Sequence, residues 1–162
     1  MAVTRYLEKF LLNDLSKKMV FLGGPRQVGK TTLSKALCQG SFTNCEYFNW
    51  DNDDDRKAIR NKQWQDDTPL VIFDELHKLV RWKQWIKGIY DNKPPLQQYI
   101  VTGSARLDVY KRGGDSLLGR YHYWRLHPLT LDELPKNMTG AEGFERLLTV
   151  GGFPEPFFEK DI

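Results

Sequence analysis

The sequence predicts an α/β fold in three layers, α/β/α, around a central, mostly parallel β-sheet. Short apolar segments, such as residues 19–22 and 70–73, alternate with segments whose apolar residues recur at helical spacing. The apolar segments have no polar alternation, which is typical of parallel strands buried on both faces. A length of 162 residues suits one domain with a real core, and 40% apolar and 28% charged residues are ordinary for a soluble protein.

The chain order of the elements supports βα units. Residues 4–15 form a predicted helix that Thr4 can cap, and spacing of three and four places Trp82, Trp85, Ile86 and Ile89 on another. Short helices are expected at 129–134 and 142–150, with regular structure ending at the Gly151-Gly152-Phe153-Pro154-Glu155 segment. The predicted strands are 19–22, 46–50, 70–73, 98–102 and 121–126, and the strand at 19–22 is expected beside those at 70–73 and 98–102.

A glycine-rich motif follows the first predicted strand. Residues 24–31 read G-x-x-x-x-G-K-T, the phosphate-binding loop of P-loop nucleoside triphosphatases, and the motif requires the strand before it and the helix after it that the sequence predicts. Lys30 is expected at the β- and γ-phosphates, and the Thr31 hydroxyl at Mg²⁺. The helix that begins here adds its positive dipole end. The candidate nucleotide-binding residues are Gly24, Pro25, Arg26, Gln27, Val28, Gly29, Lys30, Thr31 and Thr32.

Two acids end the strand at 70–73. Asp74 lies at its carboxyl end, where a parallel sheet binds ligands, and an acid there can hold Mg²⁺ as a Walker-B aspartate does. Glu75 is placed to polarise an attacking water. The alternative is that both acids only favour a helix N-terminus, and the phosphate loop upstream makes that alternative weaker.

The strand at 98–102 ends in small polar residues. Ser104 at its tip is a candidate contact for the γ-phosphate or the attacking water, the role called sensor 1. A plain turn in which Ser104 or Thr102 caps a helix explains the same residues equally well.

Composition limits the remaining classes of function. The net charge of +3 does not by itself indicate a nucleic-acid or membrane partner, and no apolar run reaches the length of a membrane span. Cys38 and Cys45 lack metal-type spacing and are expected to be reduced thiols in a cytoplasmic protein, in which no signal peptide is visible.

A weak indication of nucleic-acid binding comes from basic and aromatic residues close together in sequence. Core aromatics beside a solvated loop account for them better. The residues concerned are Tyr110, Lys111, Arg112, Arg120, Tyr121, Tyr123 and Trp124.

Taken together, the motifs resemble a known family. The phosphate loop, Phe73-Asp74-Glu75, Thr102-Gly103-Ser104, Leu118-Gly119-Arg120 and the Gly-Gly-Phe-Pro-Glu segment occur in the order seen in the prokaryotic AAA-type ATPases of the AAA_14 family, within the ASCE group of P-loop proteins. The resemblance implies ATP and Mg²⁺ as ligands, Thr31 and Asp74 at the metal, Glu75 as catalytic base and Ser104 as sensor.

The resemblance also concerns subunit contacts and domain organisation. Arg120 matches a recurrent family position and is a candidate arginine finger, supplied in trans within a homo-oligomer; a structural ion pair or surface cation is the alternative. Family members usually continue into a further domain, so residues 1–162 are expected to be a single ATPase domain truncated before a C-terminal domain.

The leading functional prediction is Mg²⁺-dependent hydrolysis of ATP to ADP and phosphate, coupled to conformational change. A nucleotide-dependent switch or scaffold with negligible turnover is the main alternative. A small-molecule kinase is disfavoured because Asp74 and Glu75 suit water activation and no arginine-rich lid is evident. A GTPase is disfavoured because the Asn-Lys-x-Asp motif is missing.

Overall fold

The computed structural model describes residues 3–104, 107 and 117–159. Its five strands form one sheet in the order β2-β3-β4-β1-β5, and every neighbouring pair is parallel. The predicted α/β fold is confirmed, and the described sheet is wholly rather than mostly parallel. The strands are β1 (Met19–Gly23), β2 (Cys45–Asn49), β3 (Leu70–Asp74), β4 (Gln98–Thr102) and β5 (Tyr121–Arg125).

Six α-helices are present in the described ranges: α1 (Glu8–Leu15), α2 (Lys30–Ser41), α3 (Asp53–Asn61), α4 (Trp82–Asp91), α5 (Gly140–Val150) and α6 (Pro154–Phe158). Three expectations about the helices differ from the structure. Thr4 does not cap α1, which begins at Glu8 without a side-chain cap. Regular structure does not end at Gly151, because Pro154 begins α6 and Phe157 of that helix is buried in the fold. The helix expected at 129–134 is a single 3₁₀ turn, Leu131–Glu133.

Successive side chains of the sheet enter two separate apolar layers. Met19 and Phe21 of β1 pack in the layer that contains Ile59 of α3 and Ile86 of α4. Their neighbours Val20 and Leu22 pack in the layer that holds α1 and α2, through residues such as Leu11, Leu15, Leu33 and Leu37. All five residues of β1 and of β3 are buried. Burial on both faces explains why these strands lack polar alternation.

The sheet brings polar strand ends to one edge. Leu22 pairs with Thr102, and Asn49 pairs with Asp74, so the carboxyl ends of β1, β2, β3 and β4 lie side by side. The strand that precedes the phosphate loop was expected beside both the Asp74 and Ser104 strands. It pairs with the Ser104 strand, β4, which separates it from β3.

The aromatic residues of β5 are engaged in packing. The Tyr121 ring stacks on Phe21 at a centroid distance of 4.5 Å, and the Trp124 ring stacks on Phe10 at 5.5 Å. The Trp124 indole also donates to Asp14 at 2.8 Å. Tyr110, Lys111 and Arg112 of the suggested nucleic-acid patch lie outside the described residues. The aromatic residues of the patch that the structure describes therefore pack against the core.

Cys38 near the end of α2 and Cys45 at the start of β2 form a disulfide, with their Cα atoms 6.0 Å apart. The expectation of two reduced thiols was wrong, because the short connection from α2 to β2 brings both residues together.

Across the described ranges, no helix combines the length and apolar character needed to cross a bilayer.

A buried ion pair joins three distant segments of the chain. Arg5, which is 6% exposed, donates from Nε to Glu133 Oε1 at 2.8 Å. Its two terminal nitrogens donate to the carbonyl oxygens of Val28, at 2.9 Å, and His127, at 2.6 Å. Glu133 also accepts from the backbone amide of Tyr6. The N-terminal segment, the phosphate loop and the segment after β5 are therefore held by one guanidinium.

We expect Arg5→Met to lower the free energy of unfolding by about 3–5 kcal/mol, since it leaves Glu133 charged, buried and without its cation. Chemical denaturation measures this. Lys57→Ala is the control, because its ion pair with Asp54 is exposed and should change stability by less than about 0.5 kcal/mol. Equal stability of wild type and Arg5→Met would contradict a structural role for the buried pair.

Candidate functional site

A polar cavity of about 540 Å³ lies at the carboxyl edge of the sheet. It gathers residues from four separate parts of the chain. The lining residues are Arg26, Gln27, Gly29, Lys30, Thr31 and Thr32 from the glycine-rich loop and the start of α2, Asn49 at the end of β2 with Asp51 after it, Asp74 at the end of β3 with Glu75 and Lys78 after it, and Pro154 and Glu155 at the start of α6. Cationic and acidic groups thus face one another across a small space.

The loop needs unusual backbone angles to fit here. Gly24, Gln27 and Gly29 all have positive φ, at 150°, 61° and 97°. A Cβ atom at Gly24 would lie only 2.5 Å from the carbonyl oxygen of Leu126, so no larger residue fits without a shift. Gln27 adopts a left-handed conformation without being glycine, which is uncommon and is typical of functional loops.

The ammonium of Lys30 lies inside the loop. Its Nζ donates to the carbonyl oxygens of Gly24, at 3.1 Å, and Pro25, at 2.6 Å. Burial lowers the pKa of Lys30, while the nearby carboxylates of Glu75 and Asp74 act in the opposite direction. Val28 faces away from the cavity, fully buried, with its carbonyl held by Arg5. Arg5 therefore holds the loop on the side away from the cavity, and Lys30 supplies the positive charge on the cavity side.

Asp74 lies opposite, and three hydroxyl groups donate hydrogen bonds to it. Oδ2 accepts from the Thr31 hydroxyl at 2.6 Å and from the Tyr47 hydroxyl at 2.7 Å. Oδ1 accepts from the Thr102 hydroxyl. Burial opposes ionisation of Asp74, but these hydrogen bonds outweigh it and hold the pKa of the carboxyl below its usual value. Burial and the bond to Asp74 raise the pKa of the Tyr47 phenol.

The oxygen atoms of Asp74 and Thr31 are suitable ligands for a magnesium ion. A buried, ionised carboxylate and a threonine hydroxyl are hard oxygen ligands, and they lie in contact at the mouth of the phosphate loop. Thr31 and Asp74 are the two residues singled out as metal ligands from sequence, and the structure brings them together.

Glu75 also reaches the cavity, where its carboxylate pairs with a lysine and lies near a histidine ring. Its backbone is left-handed, with φ at 56°. Its Oε2 lies 3.3 Å from Lys78 Nζ and 3.7 Å from His77 Nε2. Lys78 bridges to Asp51, and that hydrogen bond is the main cause of the raised pKa of Lys78. The carboxylate proposed to polarise water is therefore paired as the structure stands.

Ser104 and Arg120 differ in their relation to the cavity. The Ser104 hydroxyl lies 3.4 Å from His77 Nε2 and thus reaches Glu75 only through that ring. Arg120 lies at the opposite edge of the sheet, because its carbonyl accepts from Met19 at the start of β1, about 13 Å from the end of that strand. Its guanidinium pairs with Asp91 at the end of α4, at 2.6 Å and 3.2 Å. Arg120 does not reach the cavity of its own chain.

A second, apolar pocket of about 140 Å³ adjoins the loop. It shares Gly29, Thr32 and Pro154 with the polar cavity. Its remaining lining residues are Val3, Arg5, Glu8, Leu33, Ala36, Leu129 and Phe158. A ligand with an apolar ring at one end and anionic groups at the other fits this pair of cavities.

Sequence reasoning missed Tyr47, Lys78 and the contribution of α6. Each lacks a local signal, since Tyr47 is one aromatic in a strand and Lys78 is one lysine after the acid pair. The only available indication was position. Tyr47 precedes Asn49 by two residues and so shares its face of β2, which ends at the ligand-binding edge.

Comparison with known proteins gives a consistent family and fold. A family model described as an AAA domain, AAA_14, matches residues 16–135. An uncharacterised protein of Mycobacterium tuberculosis, Rv2008c, is 28% identical over 141 residues, and the Mycobacterium bovis protein Mb2031c matches equally. These matches cover 86% of this chain and 30% of each relative, so the chain spans less than a third of their length.

Two solved structures share the fold. A STAND protein with a tetratricopeptide repeat sensor, PH0952 from Pyrococcus horikoshii, superposes with a TM-score of 0.62 at 18% identity, over 99% of this chain and 30% of that one. The Orc1 protein of Aeropyrum pernix, solved in complex with DNA, has a TM-score of 0.58 at 14% identity, over 83% and 48% of the two chains. Because the family model covers well over half of the sequence, the chain belongs to the AAA_14 family of AAA domains, with a P-loop ATPase fold.

Proposed function

We propose that this domain binds ATP with Mg²⁺ and hydrolyses it to ADP and phosphate, with turnover coupled to a conformational change. The observation that carries the proposal is the convergence of Lys30, Thr31, Asp74 and Glu75 in one polar cavity at the carboxyl edge of the sheet. A lysine in a glycine-rich loop, a hydroxyl against a buried carboxylate and a second acid beside it are the groups that phosphoryl transfer to water requires.

Each residue has a distinct role in this proposal. Lys30 exchanges the carbonyl oxygens of Gly24 and Pro25 for the β- and γ-phosphate oxygens, which carry more charge. Thr31 and Asp74 hold Mg²⁺, which when bound offsets negative charge on the phosphates. Glu75 accepts a proton from the attacking water once its carboxylate leaves Lys78. Ser104, whose hydroxyl lies 3.4 Å from His77 Nε2, contacts the γ-phosphate or the attacking water as the sensor.

The apolar pocket is the proposed subsite for the nucleobase. Gly29, Thr32 and Pro154 form the wall common to both cavities, so a ligand that lies along this wall reaches from one to the other. Leu33, Ala36 and Phe158 offer an apolar surface to a planar ring. This geometry favours a nucleoside triphosphate over free polyphosphate as the ligand.

Arg120 fits a role in trans. Its guanidinium pairs with an exposed carboxylate on the surface of the domain, and exposed pairs of this kind contribute little to stability. A neighbouring subunit's nucleotide can therefore compete with Asp91 for it. An arginine supplied by a neighbour stabilises charge on the transferred phosphoryl group, which would make hydrolysis depend on self-association.

A nucleotide-dependent switch is the second candidate, and one contact favours it. Lys78 forms ion pairs with both Glu75 and Asp51, so the proposed catalytic base, Glu75, is paired with a cation inside the cavity. If that bridge persists when ATP is bound, the domain holds the nucleotide without efficient turnover. Hydrolysis and switching use the same binding site. They differ in whether the Glu75 carboxylate leaves Lys78 when ATP is bound.

Replacing Lys30 by alanine should weaken ATP binding by roughly 100-fold, because the charged contacts to the phosphates are lost. Isothermal titration calorimetry with ATP and MgCl₂ measures the change. Lys57→Ala, a substitution on the outer surface of α3, serves as the control and should bind as wild type does. Wild-type affinity in the Lys30→Ala variant would exclude the proposed phosphate site.

Glu75→Gln should keep the ATP dissociation constant within about threefold while lowering kcat by about 10²–10⁴, since the amide cannot accept the proton of water. Phosphate release and calorimetry on the same preparation separate the two quantities. If binding falls as far as turnover does, Glu75 holds the nucleotide rather than acting as the base.

Ala36→Phe should weaken ATP binding by about tenfold or more, because the larger ring fills the apolar pocket beside α2. Binding of inorganic tripolyphosphate, which has no nucleobase, should be unchanged in the same variant. Competition titrations with both ligands provide the measurement. Equal losses for ATP and tripolyphosphate would argue that the substitution disturbs the phosphate loop instead.

A further inference from the structure

Tyr47 makes a contact that the proposed hydrolysis does not require. Its hydroxyl donates to Asp74 Oδ2 at 2.7 Å, on the same carboxylate oxygen that accepts from Thr31 at 2.6 Å. Tyr47 comes from β2, which pairs with β3 in parallel, and it is half-buried at the edge of the apolar layer that contains α2. The contact therefore links the neighbouring strand to the centre of the cavity.

The acceptor capacity of Asp74 Oδ2 is fully used. An ionised carboxylate has two oxygens with about two lone-pair sites each. Thr31 and Tyr47 take both sites of Oδ2, while the Thr102 hydroxyl donates to Oδ1. Oδ2 is the oxygen next to the Thr31 hydroxyl, so it lies on the side where the proposed metal is held.

Loading of the metal requires one of these sites. Mg²⁺ reaches a carboxylate directly or through one of the waters it retains, and either arrangement uses a lone pair of the oxygen that it faces. Thr31 is itself a proposed ligand, and it is fixed in the first turn of α2. Thr102 is fully buried at the end of β4. Tyr47 is the donor whose release costs the least rearrangement.

We propose that the Tyr47 hydroxyl competes with Mg²⁺ for Asp74 Oδ2 and so sets the magnesium concentration at which the nucleotide site is loaded. This inference rests on the proposed function and concerns the regulation of the same site. An interaction that is present only before the metal binds lowers the apparent affinity for the metal, because binding must first break it.

Tyr47→Phe isolates the hydroxyl. The phenylalanine keeps the ring, which lies 4.2 Å beneath the Lys35 ammonium, and removes only the donor to Asp74. Tyr99→Phe is the matched control, since it deletes a buried hydroxyl that is bonded to Gln97 and does not touch Asp74. Tyr47→Met is a second test of the missing hydroxyl, with thermal unfolding as the check that each variant is folded.

The experiment is calorimetric titration of ADP into each variant, first in EDTA and then over a series of MgCl₂ concentrations. In Tyr47→Phe, the MgCl₂ concentration that gives half of the gain in ADP affinity should fall by roughly three- to tenfold, with the affinity in EDTA unchanged. Tyr99→Phe should match the wild type. A folded Tyr47→Met variant should shift in the same direction as Tyr47→Phe.

Three results would overturn the inference although ADP still binds. An unchanged magnesium midpoint in Tyr47→Phe would mean that the hydroxyl does not compete. A higher midpoint would mean that Tyr47 positions Asp74 for the metal. ADP binding by the wild type that ignores MgCl₂ would remove the metal site itself. Failure of the wild type to bind ADP under any condition would instead contradict the proposed function, and the inference with it.

Discussion

The buried guanidinium of Arg5 is the contact on which the arrangement around the phosphate loop depends. It holds the carbonyl oxygen of Val28 from behind, while its ion pair with Glu133 fixes the segment that follows β5. An isolated buried charge is costly, so the guanidinium and carboxylate must stay together and carry their attached segments with them. The loop can therefore keep left-handed backbone angles at Gln27 and Gly29 that an unsupported loop would relax.

The parallel sheet supplies the second constraint. Because every strand runs in one direction, the residues that follow β1, β2, β3 and β4 meet at one edge. Lys30, Asn49, Asp74 and Glu75 enter the cavity for this reason, although they come from three separate segments. Both acids have partners within the cavity. Asp74 accepts hydrogen bonds from hydroxyl groups, and Glu75 forms an ion pair with Lys78. A ligand must exchange these internal partners for its own, and binding is thereby coupled to rearrangement of the site.

The fold and the core of the site were accessible from sequence because their signals are local. Lys30 and Thr31 lie in one contiguous motif, and Asp74 ends an apolar strand, so periodicity and spacing were sufficient. Tyr47 and Arg5 were not accessible, since their partners lie 27 and 128 residues away and only the folded chain joins them. Helix α6 was missed because glycine and proline normally end regular structure, whereas here Pro154 begins a helix that buries Phe157. The Cys38–Cys45 disulfide depends on a chain reversal that composition does not reveal.

The decisive experiment is steady-state phosphate release from ATP and Mg²⁺, measured over a wide range of protein concentrations. The rate per molecule should rise with concentration, because Arg120 lies outside the cavity of its own chain and is proposed to act in the cavity of a neighbour. ATP binding without phosphate release at any concentration would contradict the proposed hydrolysis and would leave the nucleotide-dependent switch as the function of this site.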